Sequence, residues 1–511
     1  MVDGTLFSAD VIVVGAGSAG SAAARRLVDR GDVSVLLLEA GGPDTNPAIH
    51  DPQRVHELWF APEDYAYRTL PQRAAQDREL HIPRGKVLGG SSALNGMIWV
   101  RGAPVDYDVW AHRGCAGWSW EDVRPAFERA EGTVSVISEY ERQPIHQAIM
   151  AAAEEAGIAH NPDYNSGELD GVAWMQHTIR DGRRHGTAEA YIRPVLEHPN
   201  LRVLTGAHVR KLLFEGTRCS GVEWERDGRV ESGNAGSELI VAAGTIESPR
   251  VLMLSGIGPE DELRRHGIDV VQHLPGVGQN LHDHLLSPLI YGAEREIEPP
   301  APGVPHCQTH LWWRSKPGLV APDVQPIHFS VPLYEEWMEG PANAFSLMAG
   351  MVRPASRGSI KLTSADPGAE LAIDLAALEC ESDLDTLVAA IELCREYAGS
   401  PALREWGVSE VYPGPDARSR EDLRDWARRT VITYHHQVGT CKMGVDADAV
   451  VDPQLRVHGI DGLRVADASV MPVVPSGNTN APAIMIGERV SDFVAEAHAA
   501  SGSQPRTVPA Y

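Results

Sequence analysis

Cysteine is scarce in this chain of 511 residues: six thiols, at Cys115, Cys219, Cys307, Cys380, Cys394 and Cys441, with no C-x-x-C pair among them. So few and so scattered, they exclude a disulfide-stapled scaffold and read as reduced cysteines of a cytoplasmic protein. Long apolar runs are missing too, since nothing approaches the roughly 20 residues that span a bilayer. No basic stretch or small-residue cleavage pattern precedes the apolar segment Asp10 to Val14, so no targeting segment is expected. Positive charge is in deficit: 45 Lys and Arg stand against 70 Asp and Glu, a net charge of −25. Such a field repels phosphate backbones and anionic lipid, so neither nucleic acid nor a membrane surface is an expected partner. No internal repeat of solenoid period is present.

What remains is the composition of a large globular protein, 43% hydrophobic and 23% charged, with enough length for two to four folding units. Its 49 glycines and 36 prolines make it rich in turns. The opening reads as a βαβ unit: a strand at Val11 to Val14, a glycine turn, a helix over Ser18 to Arg30 and a strand over Val33 to Leu38. The turn is Gly15-Ala-Gly17-Ser18-Ala-Gly20, and Glu39 follows the last glycine by 19 residues. This is the dinucleotide fingerprint in its full context. The first glycine permits the tight turn, the second lets backbone approach a pyrophosphate, and Gly20 with Ala22 to Ala24 permits close helix packing. Glu39 suits ribose hydroxyls and would repel a 2′-phosphate. In so acidic a chain a pyrophosphate is best held by helix N-terminal amides and their dipole.

Further strands are expected at 201–204, 209–214, 222–224 and 238–243, with a helix beginning at 248–254. From about Pro299 to Pro332 alternating patterns broken by prolines predict an inserted antiparallel sheet. Helices are expected over 383–398, 419–429 and 480–497, the last opened by Pro482.

Two longer motifs narrow the reading. Gly85-Lys-Val-Leu-Gly-Gly-Ser-Ser-Ala-Leu-Asn95-Gly-Met-Ile-Trp99 resembles the first signature of the glucose-methanol-choline (GMC) flavoprotein oxidoreductases, and Gly244-Thr-Ile-Glu-Ser-Pro to Gly258 resembles the second. Leu274 to Asp283 and Val465-Ala-Asp467 to Asn480 fit the same family in the same order. The resemblance implies an α/β fold with a discontinuous FAD-binding Rossmann-like domain, 1–155, 190–290 and 430–511. A substrate-binding domain on an antiparallel sheet would take 156–189 and 291–429. It implies FAD as cofactor. Gly15, Gly17, Ser18, Gly20, Glu39 and Ala40 would hold the ADP half, with Val209 offering backbone to adenine. Gly85, Gly89, Gly90, Ser91, Asn95, Gly96, Met97 and Ile98 would lie along the flavin ring and pyrophosphate. Ala243, Gly244, Asp467, Ala468, Asn480 and Ala481 would complete the site. Backbone amides in such Gly- and Ser-rich turns suit anions and a flavin that gains negative charge on reduction. Some members link FAD covalently through a histidine; the matching position here is Leu94, which implies non-covalent FAD.

Tyr434-His-His-Gln-Val-Gly-Thr-Cys-Lys-Met-Gly444 resembles the family's catalytic segment, which places the base at His436 and its partner at Asn478. A hydroxyl pKa of roughly 16 against roughly 6.5 for imidazole makes prior deprotonation cost on the order of 13 kcal/mol. Proton and hydride transfer must therefore be tightly coupled or the alkoxide strongly stabilised, with His436 accepting the proton and Asn478 hydrogen-bonding the same oxygen. His435, Tyr434 and Trp99 are candidate pocket residues, and His435 rivals His436 as base. His282-Asp-His284 invites a metal reading, but a third ligand at suitable spacing is missing, so no metal is expected. The implied reaction is oxidation of a small-molecule alcohol to aldehyde or ketone, with electrons passing to oxygen or another acceptor. The alternative is a non-redox enzyme of the same fold, like the FAD-containing hydroxynitrile lyases.

Overall fold

The computed structural model describes residues 6–501; residues 1–5 and 502–511, the outermost parts of the first and last proposed FAD-binding segments, lie outside it, and so does the stretch that bears on a targeting segment. The expected opening unit is present as β1 (Leu6–Val14), α1 (Ser18–Arg30) and β2 (Val35–Leu38). All four residues of β2 are buried, as the unbroken Val-Leu-Leu-Leu run requires of a parallel strand covered on both faces. The same sheet takes in β3 (Leu201–Leu204), β4 (His208–Glu215), β5 (Arg218–Arg226) and β6 (Arg229–Val241), in the order β4-β5-β6-β1-β2-β3. The pairs β6-β1, β1-β2 and β2-β3 are parallel, whereas β4-β5-β6 is an antiparallel meander.

One strand is longer than its sequence suggests. The apolar run predicts 238–243, yet β6 begins at Arg229, because its polar first half pairs with both β5 and β1. Its last residues, Leu239 to Val241, stay paired with β1 on one side and take β7 (Leu463–Val465) in place of β5 on the other, which brings the C-terminal region into the first sheet. The turn after β6 starts α2 (Gly244–Leu254), and the chain closes with α3 (Asn480–Ser501). Helix α3 lies against α1 at Gly487, where a Cβ would stand 2.2 Å from the carbonyl oxygen of Ala19. Only glycine permits that approach.

A second sheet is wholly antiparallel. Its order is Ser409–Tyr412, Leu285–Gly292, Ala344–Met351, Ile327–Phe329, Cys307–Trp312, Gly171–Trp174, with Ile432–Thr433 also paired to Leu285–Gly292. The predicted insertion at 299–332 is thus the middle of a larger sheet. The helices Glu381–Ala398 and Arg420–Thr430 start within one or two residues of their sequence-based positions. All six cysteines are free thiols. Among the described residues no helix is long and apolar enough to cross a membrane.

Candidate active site

A cleft of about 710 Å³ runs between the two sheets. At one end lies the glycine turn. Gly15 has φ +101°, and a Cβ on Gly20 would sit 1.9 Å from the Gly15 carbonyl oxygen, so the turn and helix α1 close on each other only as glycines. No acidic residue occupies the first turn of α1, and Gly17 provides no side-chain cap, so the amides of that turn face the cleft uncompensated. Glu39 sits on the same wall and accepts from the amides of Ala16 and Gly41, each at 2.9 Å. Burial pushes its carboxyl up to about 7, against the pull of those two donors.

The first signature loop packs directly on the turn: a Cβ on Gly90, at φ +53°, would stand 2.6 Å from the Cα of Gly17. Ser18 Oγ donates to Asn480 Oδ1 at 2.7 Å, joining residues 462 apart in sequence at the start of α1 and α3. Asp467 caps α2 from outside, accepting from the Gly244 amide at 2.8 Å and from Ser248 Oγ at 2.5 Å. Proline in the second signature has a consequence of its own. Pro249 has no N–H to give the carbonyl of Thr245 one turn earlier, and that carbonyl accepts instead from Thr440 Oγ1 at 2.6 Å. Thr245 Oγ1 donates to the Gln437 carbonyl at 2.7 Å, so α2 clamps the catalytic segment twice.

At the other end, the His436 ring is held on three sides. Its backbone amide donates to Asp283 Oδ1 at 2.7 Å, its ring stacks on Tyr434 with centroids 4.5 Å apart, and Nδ1 lies 3.0 Å from His284 Nδ1. Nε2 lies 3.1 Å from Asn478 Nδ2, and Asn478 Oδ1 accepts from Gln325 Nε2 at 3.3 Å. That amide orientation leaves the lone pair on Nε2 and puts the proton on Nδ1, donated to His284. Burial, then the neighbouring His284, His435 and Arg84, hold His436 well below the ordinary imidazole range, so it is neutral at physiological pH.

His435 turns the other way. Its backbone is in the left-handed region at φ +65°, and both Nη atoms of Arg84 donate to its carbonyl at 3.0 Å. The ring meets Trp59 edge-on at 5.3 Å, and Nδ1 lies 2.6 Å from Thr433 Oγ1. The left-handed residue is what sends two consecutive imidazoles to different walls. Met97, at φ +61°, is a second such residue on the cleft.

Of the residues singled out from the sequence, Gly15, Gly17, Ser18, Glu39, Ala40, Gly85, Gly90, Ser91, Asn95, Gly96, Met97, Ile98, Val209, Ala243, Gly244, Tyr434, His435, His436, Asp467, Ala468, Asn478 and Asn480 line this one cleft. Gly20, Gly89 and Ala481 stand just behind it. Trp99 does not line it. The indole is fully buried, with Nε1 donating to Glu131 at 2.8 Å, because alternation along the chain after Ile98 points it away from the cavity. Both ring nitrogens of His282 are engaged by backbone, at the Asn280 carbonyl and the Val474 amide. Sequence reasoning met Asp283 and His284 only as family-motif and metal-like residues, without a role beside His436, and passed over Gln325 and Arg84. Arg84 adjoins the first signature and could have been found; the other three declare themselves only by contact.

The family model described as GMC oxidoreductase matches residues 9–286 in its N-terminal part and 354–487 in its C-terminal part. The chain belongs to the GMC oxidoreductases. FAD and the oxidation of alcohols go with that family, as the resemblance implied. This GMC chain is 37% identical to an oxygen-dependent choline dehydrogenase of Brucella anthropi over 95% of both chains. Among solved structures it resembles pyridoxine 4-oxidase from Mesorbium loti, at TM-score 0.91 and 33% identity over 95% of this chain and 99% of that one. It also resembles a formate oxidase of Aspergillus oryzae, at TM-score 0.90 and 25% identity over 97% and 99% of the two chains. The donor set fits FAD: amides without compensating charge, a buried carboxylate for ribose, and a glycine-to-glycine contact where any side chain would intrude.

Proposed function

We propose that this GMC oxidoreductase oxidises an alcohol at the His436–Asn478 end of the cleft, with His436 as the base. The observation that carries the reading is the neutral imidazole whose Nε2 lone pair sits beside an amide donor on the cleft wall. FAD, when bound, supplies the hydride acceptor at flavin N5. Gly15, Gly17, Ser18, Glu39 and Ala40, with Val209, hold its adenosine half. The loop Gly85 to Ile98 with Ala243, Gly244, Asp467, Ala468 and Asn480 holds the rest, and Gly20, Gly89 and Ala481 support them from behind. Leu94, apolar and nearly buried, forms no bond to the cofactor.

The substrate hydroxyl takes the place of the contact between Asn478 Nδ2 and His436 Nε2, donating to the imidazole and accepting from the amide, which fixes the oxygen at this end of the cleft. Because His436 is held below the usual imidazole range, the gap to a hydroxyl near 16 exceeds that of a free histidine. The proton therefore moves only as the C–H bond breaks. Asn478 donates but cannot serve as a second base, so one imidazole carries the proton. His284 accepts the Nδ1 proton and keeps Nε2 free. His435 and Tyr434 shape the pocket above.

The electrons pass on to oxygen or to another acceptor. The segments 1–155, 190–290 and 430–511 form the Rossmann-like FAD domain and 156–189 with 291–429 the substrate domain, the strand Leu285–Gly292 crossing from one to the other. Six unpaired thiols suit a cytoplasmic enzyme. The test is anaerobic: an alcohol that bleaches the flavin of the purified holoenzyme supports the reading. A flavin that no primary or secondary alcohol reduces would refute it and leave the lyase chemistry standing.

A further inference from the structure

The charge distribution along the cleft is uneven. Three carboxylates line it, Glu39, Glu247 and Asp467, and all three belong to the nucleotide half. Each is already engaged: Glu39 by two amides, Glu247 by Tyr67 at 2.5 Å and Arg250 at 2.9 Å, and Asp467 by Gly244 and Ser248. Beyond His436 the wall includes Leu286, Ile327, Phe329, Leu333, Met348 and Ile432, with His306, Cys307 and Tyr334 beside them. Among the described residues no carboxylate lines this half. Asp283 stands behind the imidazole with both oxygens committed, to the His436 amide and to Gln437 Nε2. Glu335, beside the wall residue Tyr334, is paired with Arg78 at 3.7 Å. The fixed charge that does reach this half is positive, the Arg84 guanidinium.

Aromatic faces do not make up for the missing anion. Tyr434 spends one face on the His436 ring, Trp59 meets His435 and His81 edge-on, and Tyr334 meets Tyr412 edge-on, which leaves Phe329 as the lining ring with no ring partner among the described residues; a single face is not a cage. A quaternary ammonium placed here would lose its hydration shell with no anion to replace it.

We propose that this pocket selects uncharged alcohols on an apolar body, such as arylmethanols and branched alkanols, and discriminates against cationic amino alcohols. The claim rests on the alcohol-oxidising reading and adds the substrate class to it. Leu286 is the residue that sets the charge preference. It lies two positions from His284 on the strand Leu285–Gly292, hence on the same face as the group that holds His436, and it lines the cleft.

Choline and 3,3-dimethylbutan-1-ol have nearly the same shape and differ in charge, so the pair isolates the effect. In anaerobic reduction of the holoenzyme, kcat/KM for 3,3-dimethylbutan-1-ol and for benzyl alcohol is expected to exceed that for choline by at least 100-fold. Choline equal to or better than its neutral isostere overturns the inference while leaving alcohol oxidation intact. Equilibrium titration of the flavin absorbance reads the same preference without turnover. If no alcohol reduces the flavin, the functional reading fails, and the titration alone decides whether the site prefers the neutral ligand. Leu286→Glu, with FAD still bound, is expected to shift the ratio toward choline by at least tenfold; an unchanged ratio removes Leu286 from the role.

Discussion

Replacing His436 by alanine removes the imidazole whose Nε2 lone pair lies 3.1 Å from Asn478 Nδ2 on the cleft wall. General-base catalysis is worth roughly 10² to 10⁴ in rate, or about 2.7 to 5.4 kcal/mol of barrier. The upper end is the expectation here, because Asn478 can donate a hydrogen bond but has no basic atom to take over, and His284 is separated from the cleft by the imidazole itself. The folded state also loses: the Asn478 amide and His284 Nδ1 each lose a partner in a buried setting, at about 1 to 3 kcal/mol apiece. FAD binding should survive, since the glycine turn and Glu39 make no contact with this ring. The assay is single-turnover flavin bleaching by an alcohol in the absence of oxygen, compared among wild type, His436→Ala and His435→Ala, each checked for bound flavin. The expected order is wild type, then His435→Ala with a modest loss, then His436→Ala slower by at least 10²-fold. Near-normal reduction by His436→Ala with collapse in His435→Ala would show that the wrong imidazole had been assigned.

Eight histidines, buried at 146, 177, 282, 284, 310, 328 and 436 and partly buried at 435, are held below the ordinary imidazole range chiefly by burial. Each stays neutral when folded and gains a proton when unfolded, so the stability tied to each is present above roughly pH 6.5 and is lost as the pH falls below it. Glu39 and Asp283, pushed up to about 7, act in the opposite sense over the same fall in pH, two groups against eight. The melting temperature of the apoprotein should therefore fall clearly from pH 7 to 5.5; a flat profile would contradict it. Glu39 also predicts a proton release: ribose hydroxyls donating to it favour the carboxylate, so calorimetric FAD binding near pH 7 should release a fraction of a proton, and Glu39→Gln should abolish that release. Gly90→Ala would place a methyl 2.6 Å from the Gly17 Cα at a left-handed φ, and at least a tenfold loss of FAD affinity is expected by flavin titration.

Local order determined much of what the sequence could reveal. The glycine turn, the strand before it and Glu39 after it lie within one stretch of chain, so period, turn chemistry and spacing sufficed to point to a dinucleotide turn, and the resemblance of the signatures implied the flavin end. The resemblance singled out His436 with His435 as its rival, but the different surroundings of the two rings were not legible. Those depended on a left-handed residue at 435, on Arg84 holding its carbonyl, and on His284, which lies 152 positions from His436. The same holds for Ser18 and Asn480, for the pairing of β6 with β7, and for Trp99, whose side of the chain was decided by packing against Glu131. Periodicity reports which face of an element is apolar; it carries no information about which distant element covers that face. The charge of the substrate half is the sharpest case, since 70 acidic residues are plain in the sequence, but only the tertiary structure shows that none of those described lines the wall beyond His436.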